Sequence, residues 1–270
     1  MINTHFGITH TPFSQDEQPL LQAQKDILEE LRVHSYQGGL CMIAGSPGTG
    51  KTVLRKAFAA SNQRQVTPHI TRTLHTYSGI LRILCHSLAI EYQGGDLKCE
   101  KQVIEQAYKL HQAGKAIALT IDDAHLLAPQ HLRKLRLLLE ESPGNYAILL
   151  FAQTELLAQL ALYVNEDLRS RITYSALLNK LTSEDIGNFI LREFERVGLA
   201  HSRIEPAALN LIAASSEGIL RYAVNLTTSS LIQAVRTQST TVLTVHVNTA
   251  LMQPHWRDHD YWIHSEKNEG

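Results

Sequence analysis

The sequence predicts an α/β protein in which a parallel sheet covered by helices is followed by a smaller all-helical unit. Three apolar runs, 40–44, 117–121 and 146–151, have the length and composition of buried strands. Helical patterns lie between the runs, and this alternation is typical of a parallel sheet with helices on both faces. After Thr182 the apolar residues recur at helical spacing, which predicts the second unit.

The composition excludes several other classes of protein. The chain of 270 residues is 44% apolar and 19% charged, which is the balance of a soluble globular protein. No apolar run approaches the ~18 residues that a membrane-spanning helix needs, and the first residues lack the pattern of a secretory signal. The 3 cysteines have no CxxC spacing, which argues against a zinc site and against disulfides. We therefore expect a cytoplasmic protein without a membrane span.

The first part of the chain, residues 1–37, is predicted to contain a turn and then a helix. The apolar residues of this helix recur near helical spacing at Leu20, Ile27, Leu28 and Leu31. The strand at 40–44 follows and stops at a glycine-rich turn. The helices predicted between the later strands include residues 80–88, 103–110 and 132–139.

The second half of the chain carries helix start and stop signals. Thr182 and Asp185 have the spacing of a capping box, Pro206 suits a first helical turn, and Gly218 suits a helix stop. Two more helices are predicted at 220–235 and 245–252. The domain limits that we predict are 1–37 for the entry segment, 38–179 for the α/β domain, 180–252 for the helical domain and 253–270 for a C-terminal tail.

The tail is rich in aromatic residues and histidine. Trp256, Tyr261 and Trp262 can pack on this chain's own helical domain or anchor a partner protein, and the sequence leaves both readings open. His255 and His259 have helical i, i+4 spacing but lack a third ligand or the glutamate of an H-E-x-x-H motif. We therefore expect no metal site there.

A glycine-rich loop with the pattern G-x-x-x-x-G-K-[ST] follows the first strand. It comprises Gly45, Ser46, Pro47, Gly48, Thr49, Gly50, Lys51 and Thr52. Backbone N–H groups of such a loop bind phosphate, and the helix that Val53 continues adds partial positive charge at its N-terminus. Lys51 can reach the β- and γ-phosphates and the Thr52 hydroxyl can ligate Mg²⁺. We therefore expect residues 45–53 to bind ATP with Mg²⁺.

A pair of carboxylates ends the second predicted strand. Asp122 and Asp123 directly follow the apolar run 117–121, the arrangement of a Walker B strand. We expect Asp122 to hold Mg²⁺ and Asp123 to orient or deprotonate the attacking water. Most ATPases that combine such a loop with a Walker B strand carry glutamate at the second position. Asp123 is one methylene shorter than glutamate and can therefore be a weaker base than that glutamate.

The ordered set of motifs resembles the AAA+ ATPases of the ExeA and TniB/TnsC type. The stretches that carry the resemblance are Phe6-Gly7 with Pro12-Phe13, the phosphate loop, Ile121-Asp122-Asp123-Ala124-His125, Phe151-Ala152-Gln153-Thr154-Glu155-Leu156, Ser170-Arg171-Ile172 and Gly218-Ile219-Leu220-Arg221. The resemblance spans about residues 5 to 250. It implies a five-stranded parallel sheet of order 5-1-4-3-2 sandwiched by helices, followed by a helical lid.

The resemblance also implies roles for polar residues outside the two Walker motifs. Gln153 falls at the sensor 1 position and Arg221 at the sensor 2 position. Arg171, with Arg169 as its neighbour, falls where such ATPases place an arginine finger, and a guanidinium group is suited to the charge that develops on a transferred phosphoryl group. The competing interpretations are a satisfied polar strand end for Gln153 and solvated surface arginines for the other three.

The resemblance further implies that the chain binds double-stranded DNA as a ring or helical homo-oligomer. Its net charge of −1 neither requires nor excludes such binding. The candidate phosphate contacts, which can equally be solvated helix faces, are Lys98, Lys101, Arg133, Lys134 and Arg136. The function implied is regulation of transposition by recruiting or activating a transposase or target-selection protein. Secretion-system assembly, as for ExeA, and a nucleotide-switched scaffold with little turnover are the alternatives.

Overall fold

The computed structural model describes residues 1–13, 20–61, 64–70 and 76–256. Residues 20–179 form one compact unit, and the described parts of 1–19 and 180–270 form a second. The helix expected within the entry segment thus belongs to the sheet unit, whereas residues 1–13 belong to the helical unit. The domain limits given above, as functional divisions, stay predictions.

The sheet is parallel throughout. Its strands are β1 Gly39–Gly45, β2 Gln65–Val66, β3 His69–Ile70, β4 Ala116–Ile121, β5 Tyr146–Ala152 and β6 Ile172–Leu178. The order is β2-β4-β5-β1-β6, and β3 also pairs with β4. Pro68, which has no N–H to donate, lies between β2 and β3, and its carbonyl accepts from the Thr120 N–H at 2.9 Å. Counted as one interrupted strand, β2 and β3 complete the predicted order 5-1-4-3-2.

The predicted α/β fold is confirmed. The α-helices are α1 Ile2–Phe6, α2 Gln22–Gln37, α3 Lys51–Ser61, α4 Tyr77–Ser87, α5 Asp96–Gln112, α6 Pro129–Glu141, α7 Glu155–Ala161, α8 Glu166–Arg169, α9 Ser183–Arg196, α10 Pro206–Ser215, α11 Leu220–Arg236 and α12 Thr244–Leu251. Strands β1, β4 and β5 are the three apolar runs and are almost wholly buried. Strand β6 was not among the predicted strands, because its side chains alternate between half-buried and exposed at the edge of the sheet.

Helices cover both faces of the sheet. Successive side chains of a strand point to opposite faces, so Ile148 and Leu150 of β5 pack with α4, α5 and α6 while Leu149 and Phe151 pack with α2 and α3. Phe58 of α3 is fully buried in the second of these layers. The packing fixes α3, and with it the loop that precedes α3, against β1.

The helical unit has the predicted caps. The Thr182 hydroxyl accepts from the Asp185 N–H at 3.1 Å and the Asp185 carboxylate accepts from the Thr182 N–H at 3.3 Å, which completes the capping box of α9. Gly218 follows α10 at φ 76°, where a Cβ would lie 2.4 Å from the Leu181 carbonyl oxygen. Only glycine fits this position.

The first residues of the chain are tied to the helical unit through a buried carboxylate. Glu193 of α9 is fully buried, pairs with Arg196 at 2.8 Å and accepts a hydrogen bond from the Phe13 N–H. The Phe13 ring packs beside Phe189 at 5.7 Å between centroids.

The tail is described only as far as residue 256. The Trp256 ring meets Tyr222 of α11 edge-on, with 5.7 Å between centroids. His259, Tyr261 and Trp262 lie outside the described residues, so the two readings of the tail stay open. Among the described helices, none combines the length and apolarity that crossing a membrane requires.

Candidate nucleotide-binding site

The glycine-rich loop lies between the end of β1 and the start of α3, at the carboxyl edge of the sheet. Gly48 and Gly50 have φ values of 82° and 97°, which favour glycine because it lacks a Cβ. A Cβ on Gly45 would lie 2.8 Å from both the Leu178 carbonyl oxygen and Thr49 Oγ1. The fixed glycines of the motif are therefore required by backbone conformation and by close packing.

Lys51 begins α3 and is buried against the loop. Its ammonium group donates to the carbonyl oxygens of Gly45 at 2.7 Å and Ser46 at 2.9 Å. The Thr49 hydroxyl donates to the same Ser46 carbonyl at 2.9 Å. These contacts close the loop on itself and place the positive charge at its base.

Thr52 connects the loop helix to the carboxylate at the end of β4. Its hydroxyl donates to Asp122 Oδ2 at 3.1 Å, and the Asp123 N–H donates to Asp122 Oδ1 at 3.1 Å. Asp122 is 9% exposed, whereas Asp123 is exposed and has a left-handed backbone with φ 51°. The two candidate metal ligands are therefore adjacent, and the candidate base projects to solvent beside them.

Arg55 is a charged residue of this site that the sequence interpretation missed. It lies one helical turn after Lys51, is 6% exposed, and its Nε is 3.4 Å from Asp122 Oδ2. Burial lowers the pKa of Arg55, while the Asp122 carboxylate opposes that shift. The four-residue spacing from Lys51 was the signal in the sequence, since it places both side chains on one helix face.

His69 extends the same buried network. Its Nδ1 lies 3.1 Å from Thr120 Oγ1, and its buried Nε2 has no hydrogen-bond partner among the described residues. Burial, and then the charge of Arg55, lower the pKa of His69. The ring is therefore neutral near pH 7, which avoids placing a second cation beside Arg55.

Gln153 directly follows β5, on the same edge of the sheet as Asp122. Its backbone N–H donates to His125 Nδ1 at 3.4 Å, so the segment after β4 and the segment after β5 are in contact. Its side chain is half-buried. This is the location expected of a sensor 1 residue, and that role stays a prediction.

The two finger candidates lie between α8 and β6. Arg169 ends α8 with its side chain exposed. Arg171 is 55% exposed, and its guanidinium group contacts Glu140 Oε1 at 3.1 Å. Arg221 lies in the first turn of α11, in the helical unit, and is also exposed. All three side chains are accessible, and their predicted roles are not assigned by these positions alone.

The side chains of the five candidate DNA contacts differ in how many hydrogen bonds and ion pairs they make with the rest of the chain. Lys98 and Lys101 are exposed on α5. Lys134 is exposed, with its ammonium group 4.9 Å from the centre of the Tyr77 ring. These three lysines can present their charge to a ligand without breaking a hydrogen bond.

The two arginines of that set are engaged. The Arg133 guanidinium donates to the Val164 carbonyl at 2.7 Å, to Asn165 Oδ1 at 3.0 Å and to both Asp167 oxygens. This bonding lowers the pKa of Asp167. Arg136 pairs with Glu140 at 3.5 Å. A phosphate contact by Arg133 would require several of its hydrogen bonds to break.

The residues present fit a nucleotide with a divalent cation. Gly48 and Gly50 give the loop the left-handed backbone turns that favour glycine, and the Lys51 ammonium group contacts the loop at the Gly45 carbonyl. Thr52 and Asp122 supply the hydroxyl and carboxylate oxygens that Mg²⁺ prefers, and Arg55 supplies the compensating charge beside that carboxylate.

The sequence matches a protein family. A family described as AAA domain matches residues 16–160, which include the loop, both aspartates and Gln153. No curated protein matches the chain in sequence.

Solved structures with the same fold span most of the chain. The ORC2 protein of Aeropyrum pernix, in ADPNP-ADP complexes, has a TM-score of 0.69 at 21% identity over 88% of this chain and 70% of that one. The ORC1 protein of the same organism, in complex with DNA, has a TM-score of 0.67 at 16% identity over 87% and 66%. The RuvB Holliday junction branch migration motor of Thermotoga maritima has a TM-score of 0.58 at 21% identity over 92% and 76%. The likeness extends beyond residue 160 into the helical unit.

Proposed function

Because the chain belongs to the AAA domain family, we propose that it is a Mg²⁺-dependent ATPase that assembles on double-stranded DNA and thereby regulates transposition. The observation that carries the ATPase part is the joining of the two Walker motifs by the hydrogen bond from Thr52 to Asp122. The ADPNP-ADP complexes of the ORC2 protein support nucleotide as the ligand.

We assign each residue of the site a separate role in ATP hydrolysis. Lys51 neutralises phosphate charge from the base of the loop, and Thr52 with Asp122 would hold Mg²⁺. When bound, Mg²⁺ supplies positive charge to the phosphate oxygens and stabilises the charge that develops in phosphoryl transfer. Asp123 accepts a proton from the attacking water or orients it, and its exposed carboxylate is free to do so.

The remaining polar residues act on the nucleotide state. Gln153 orients water or contacts the γ-phosphate as sensor 1, and Arg221 acts as sensor 2. Arg171, with Arg169 beside it, reaches the nucleotide of a neighbouring subunit, which makes hydrolysis depend on assembly. The pairing of Arg171 with Glu140 holds the guanidinium group on the subunit's own surface until a phosphate competes for it.

DNA is the proposed surface for assembly. The ORC1 structure contains DNA and RuvB is a branch migration motor, which supports a DNA-associated role for a chain of this fold. The ordered motifs that resemble the TniB/TnsC type support transposition and a transposase or target-selection protein as the partner. A monomer with net charge −1 binds DNA weakly, and an assembly that aligns Lys98, Lys101 and Lys134 of many subunits gains affinity by avidity.

A nucleotide-switched scaffold is the second candidate function, and the geometry of Asp123 favours it. The side chain is one methylene shorter than glutamate and projects from a left-handed residue. If it does not reach the attacking water, ATP controls conformation and assembly with little turnover. The rate of steady-state hydrolysis, with and without duplex DNA, separates the two candidates.

The proposal is tested by fluorescence anisotropy of a labelled DNA duplex. Binding is measured at several salt concentrations with ADP, with a non-hydrolysable ATP analogue and without nucleotide. We expect binding to require the analogue, to have little sequence preference and to weaken steeply with salt. Equal binding in all three nucleotide states would show that DNA binding does not depend on ATP-driven assembly. No binding in any state would favour secretion-system assembly or the scaffold.

A matched pair of triple variants locates the DNA path. Changing Lys98, Lys101 and Lys134 to Ala should reduce the salt dependence by about 0.9 in the logarithmic slope for each phosphate that the variant no longer binds. The control changes Lys25, Lys180 and Arg192, which are exposed outside α5 and α6, and removes the same total charge. Equal reductions in the two variants would show that bulk charge, and not this path, binds DNA.

A further inference from the structure

An open cleft lies beside the ends of α2 and α3, away from the glycine-rich loop. Its volume is about 770 Å³, and its lining residues are Arg32, Tyr36, Ala60, Ser61 and Arg64. Two of these carry positive charge, two carry hydroxyl groups and none carries a carboxylate. This set of residues is suited to an anion.

The donors of the cleft are partly fixed and partly unused. Arg32 Nε donates to Ser61 Oγ at 3.0 Å, and that hydroxyl donates to the Phe58 carbonyl at 2.9 Å. The terminal amino groups of Arg32 make no hydrogen bond or ion pair with any other described residue, and neither does the exposed Arg64 side chain. The Nε side of the Arg32 guanidinium group is therefore held in place. The terminal amino groups of Arg32 and the whole guanidinium group of Arg64 can bind a ligand.

The local charge is positive in spite of the helix ends. Helices α2 and α3 end at Gln37 and Ser61, and each C-terminus contributes about half a negative charge. The positive charge of two guanidinium groups exceeds these partial negative charges. Lys115 is a further basic residue close to Arg64 along the backbone, because it precedes Ala116, whose N–H donates to the Arg64 carbonyl at 3.2 Å. The competing explanation is that the arginines serve only to stabilise the two helix ends.

The cleft is distinct from the nucleotide site. Lys51 and Ser61 are the first and last residues of α3, and ten helical steps separate them by about 15 Å. One ligand's phosphate group cannot contact both ends of this helix.

We propose that the cleft is a second phosphate site, which binds the phosphate ester of a nucleotide. Arg32 and Arg64 would share the phosphate oxygens, since guanidinium groups pair with phosphate through parallel hydrogen bonds. The hydroxyl groups of Ser61 and Tyr36 add hydrogen-bonding capacity beside them. The volume exceeds that of a phosphate group alone, and the Tyr36 ring, 43% exposed, is placed to stack on a base. The nucleotide can be free or part of a nucleic-acid strand.

The test measures binding of three probes to the full chain. Thymidine 5′-monophosphate represents the free nucleotide and lacks the β-phosphate that the glycine-rich loop binds. Labelled (dT)12 and a labelled duplex represent nucleic acid. We expect at least one probe to bind in a salt-dependent manner, with affinity reduced tenfold or more in the variant Arg32→Ala with Arg64→Ala. Binding of the monophosphate alone identifies a free-nucleotide site, and binding of an oligonucleotide alone identifies a strand-binding site.

Three controls make the result decisive. The variant Lys180→Ala with Arg192→Ala removes the same charge from exposed residues of the helical unit and should bind within twofold of the parent. Without added nucleotide, Lys51→Ala should bind the probes as the parent does, which separates this site from the ATPase site. If the double variant does not fold, the single variant Arg64→Glu replaces it. This variant reverses the charge of one cleft arginine at an exposed residue and should also reduce probe binding.

Several outcomes would overturn the proposal. They are no binding of any probe, equally reduced affinity in the control pair, and absence of binding in Lys51→Ala without added nucleotide. A lower free energy of unfolding in the double variant with no effect on binding would assign both arginines to the helix ends.

Discussion

Arg55 Nε lies 3.4 Å from Asp122 Oδ2, and both side chains are almost completely buried. Asp122 also accepts hydrogen bonds from the Thr52 hydroxyl and the Asp123 N–H. Burying a carboxylate is costly unless it is paired, and Arg55 supplies the opposite charge at this point in the fold. The arginine therefore sets the charge balance at the candidate metal ligand.

We predict that Arg55→Ala lowers the free energy of unfolding by about 2 kcal/mol. Removing one partner of a buried ion pair typically costs about 3–5 kcal/mol, and the two remaining hydrogen bonds to Asp122 reduce that cost. The measurement is urea-induced unfolding, with Arg82→Ala as the control at an exposed arginine of α4. Adding Mg²⁺ and ADP should stabilise the variant more than the parent, because the uncompensated carboxylate attracts the cation more strongly. An unchanged unfolding free energy would show that the pair contributes nothing.

Elements formed from contiguous residues could be predicted from the sequence. The glycine-rich loop, the buried strands β1, β4 and β5, and the capping box at Thr182 each depend on neighbours within a few residues. The same applies to Asp122 and Asp123, since a buried strand places the residues after it at the edge of the sheet.

Features that depend on distant parts of the chain could not be predicted in this way. The contact of Arg55 with Asp122 joins α3 to the end of β4. The four-residue spacing from Lys51 places Arg55 on the same helix face, but it does not indicate which distant group Arg55 contacts. Strand β6 lies at the sheet edge, where one face stays exposed and the apolar pattern is weak. Phe13 is tied to Glu193 across most of the sequence, so the grouping of residues 1–13 with the helical unit required the structure.

Lys51→Ala is predicted to weaken ATP binding roughly 100-fold. A hydrogen bond to a charged group contributes about 1.5–3 kcal/mol, and the variant also lacks the hydrogen bonds that hold the loop at Gly45 and Ser46. The measurement is a calorimetric titration with ATP and Mg²⁺. Lys56→Ala, an exposed lysine on the same helix, is the control and should keep the parental affinity. Unchanged affinity in Lys51→Ala would remove this residue from the site.

Asp123→Asn is predicted to retain ATP affinity and to reduce turnover by about 100-fold or more, the usual contribution of a general base. The exposed side chain makes no contact that the fold requires, so stability should be unchanged. Asp123→Glu is the matched variant, because it keeps the charge and adds the methylene group that most ATPases of this class have, and it should hydrolyse ATP at least as fast as the parent. Parental turnover in Asp123→Asn would require another base.

Arg171→Ala is predicted to bind nucleotide normally and to hydrolyse it about 1000-fold more slowly, the usual contribution of an arginine finger. Because the finger acts on the next subunit, mixing this variant with Lys51→Ala should restore some turnover. Recovery arises where an intact loop meets an intact Arg171. A mixture that co-assembles and shows no recovery at any ratio would argue strongly against the finger. Arg169→Ala tested in the same way determines which of the two arginines acts.

His246 makes buried hydrogen bonds in the helical unit that depend on its protonation state. It is 3% exposed, and its Nδ1 accepts from the Leu243 N–H at 3.0 Å, which requires that this nitrogen carry no proton. The proton of the neutral ring is therefore on Nε2, which donates to Thr237 Oγ1 at 2.9 Å. Burial lowers the pKa of His246 below its ordinary value, so protonation would place a charge in a buried site and break the bond to Leu243.

We predict that this histidine makes the protein less stable in mild acid. The folded-state pKa lies below the unfolded-state value of about 6.5, so its contribution is complete above that pH and is lost as pH falls toward the folded-state pKa. Each such proton gives a slope of at most about 1.4 kcal/mol per pH unit. His246→Gln, which does not titrate, should flatten the dependence of the unfolding free energy on pH between 7 and 5, whereas His86→Gln at an exposed site should leave it unchanged. Denaturant unfolding at several pH values measures both slopes, and parallel curves for His246→Gln and the parent would show that His246 is not the titrating group.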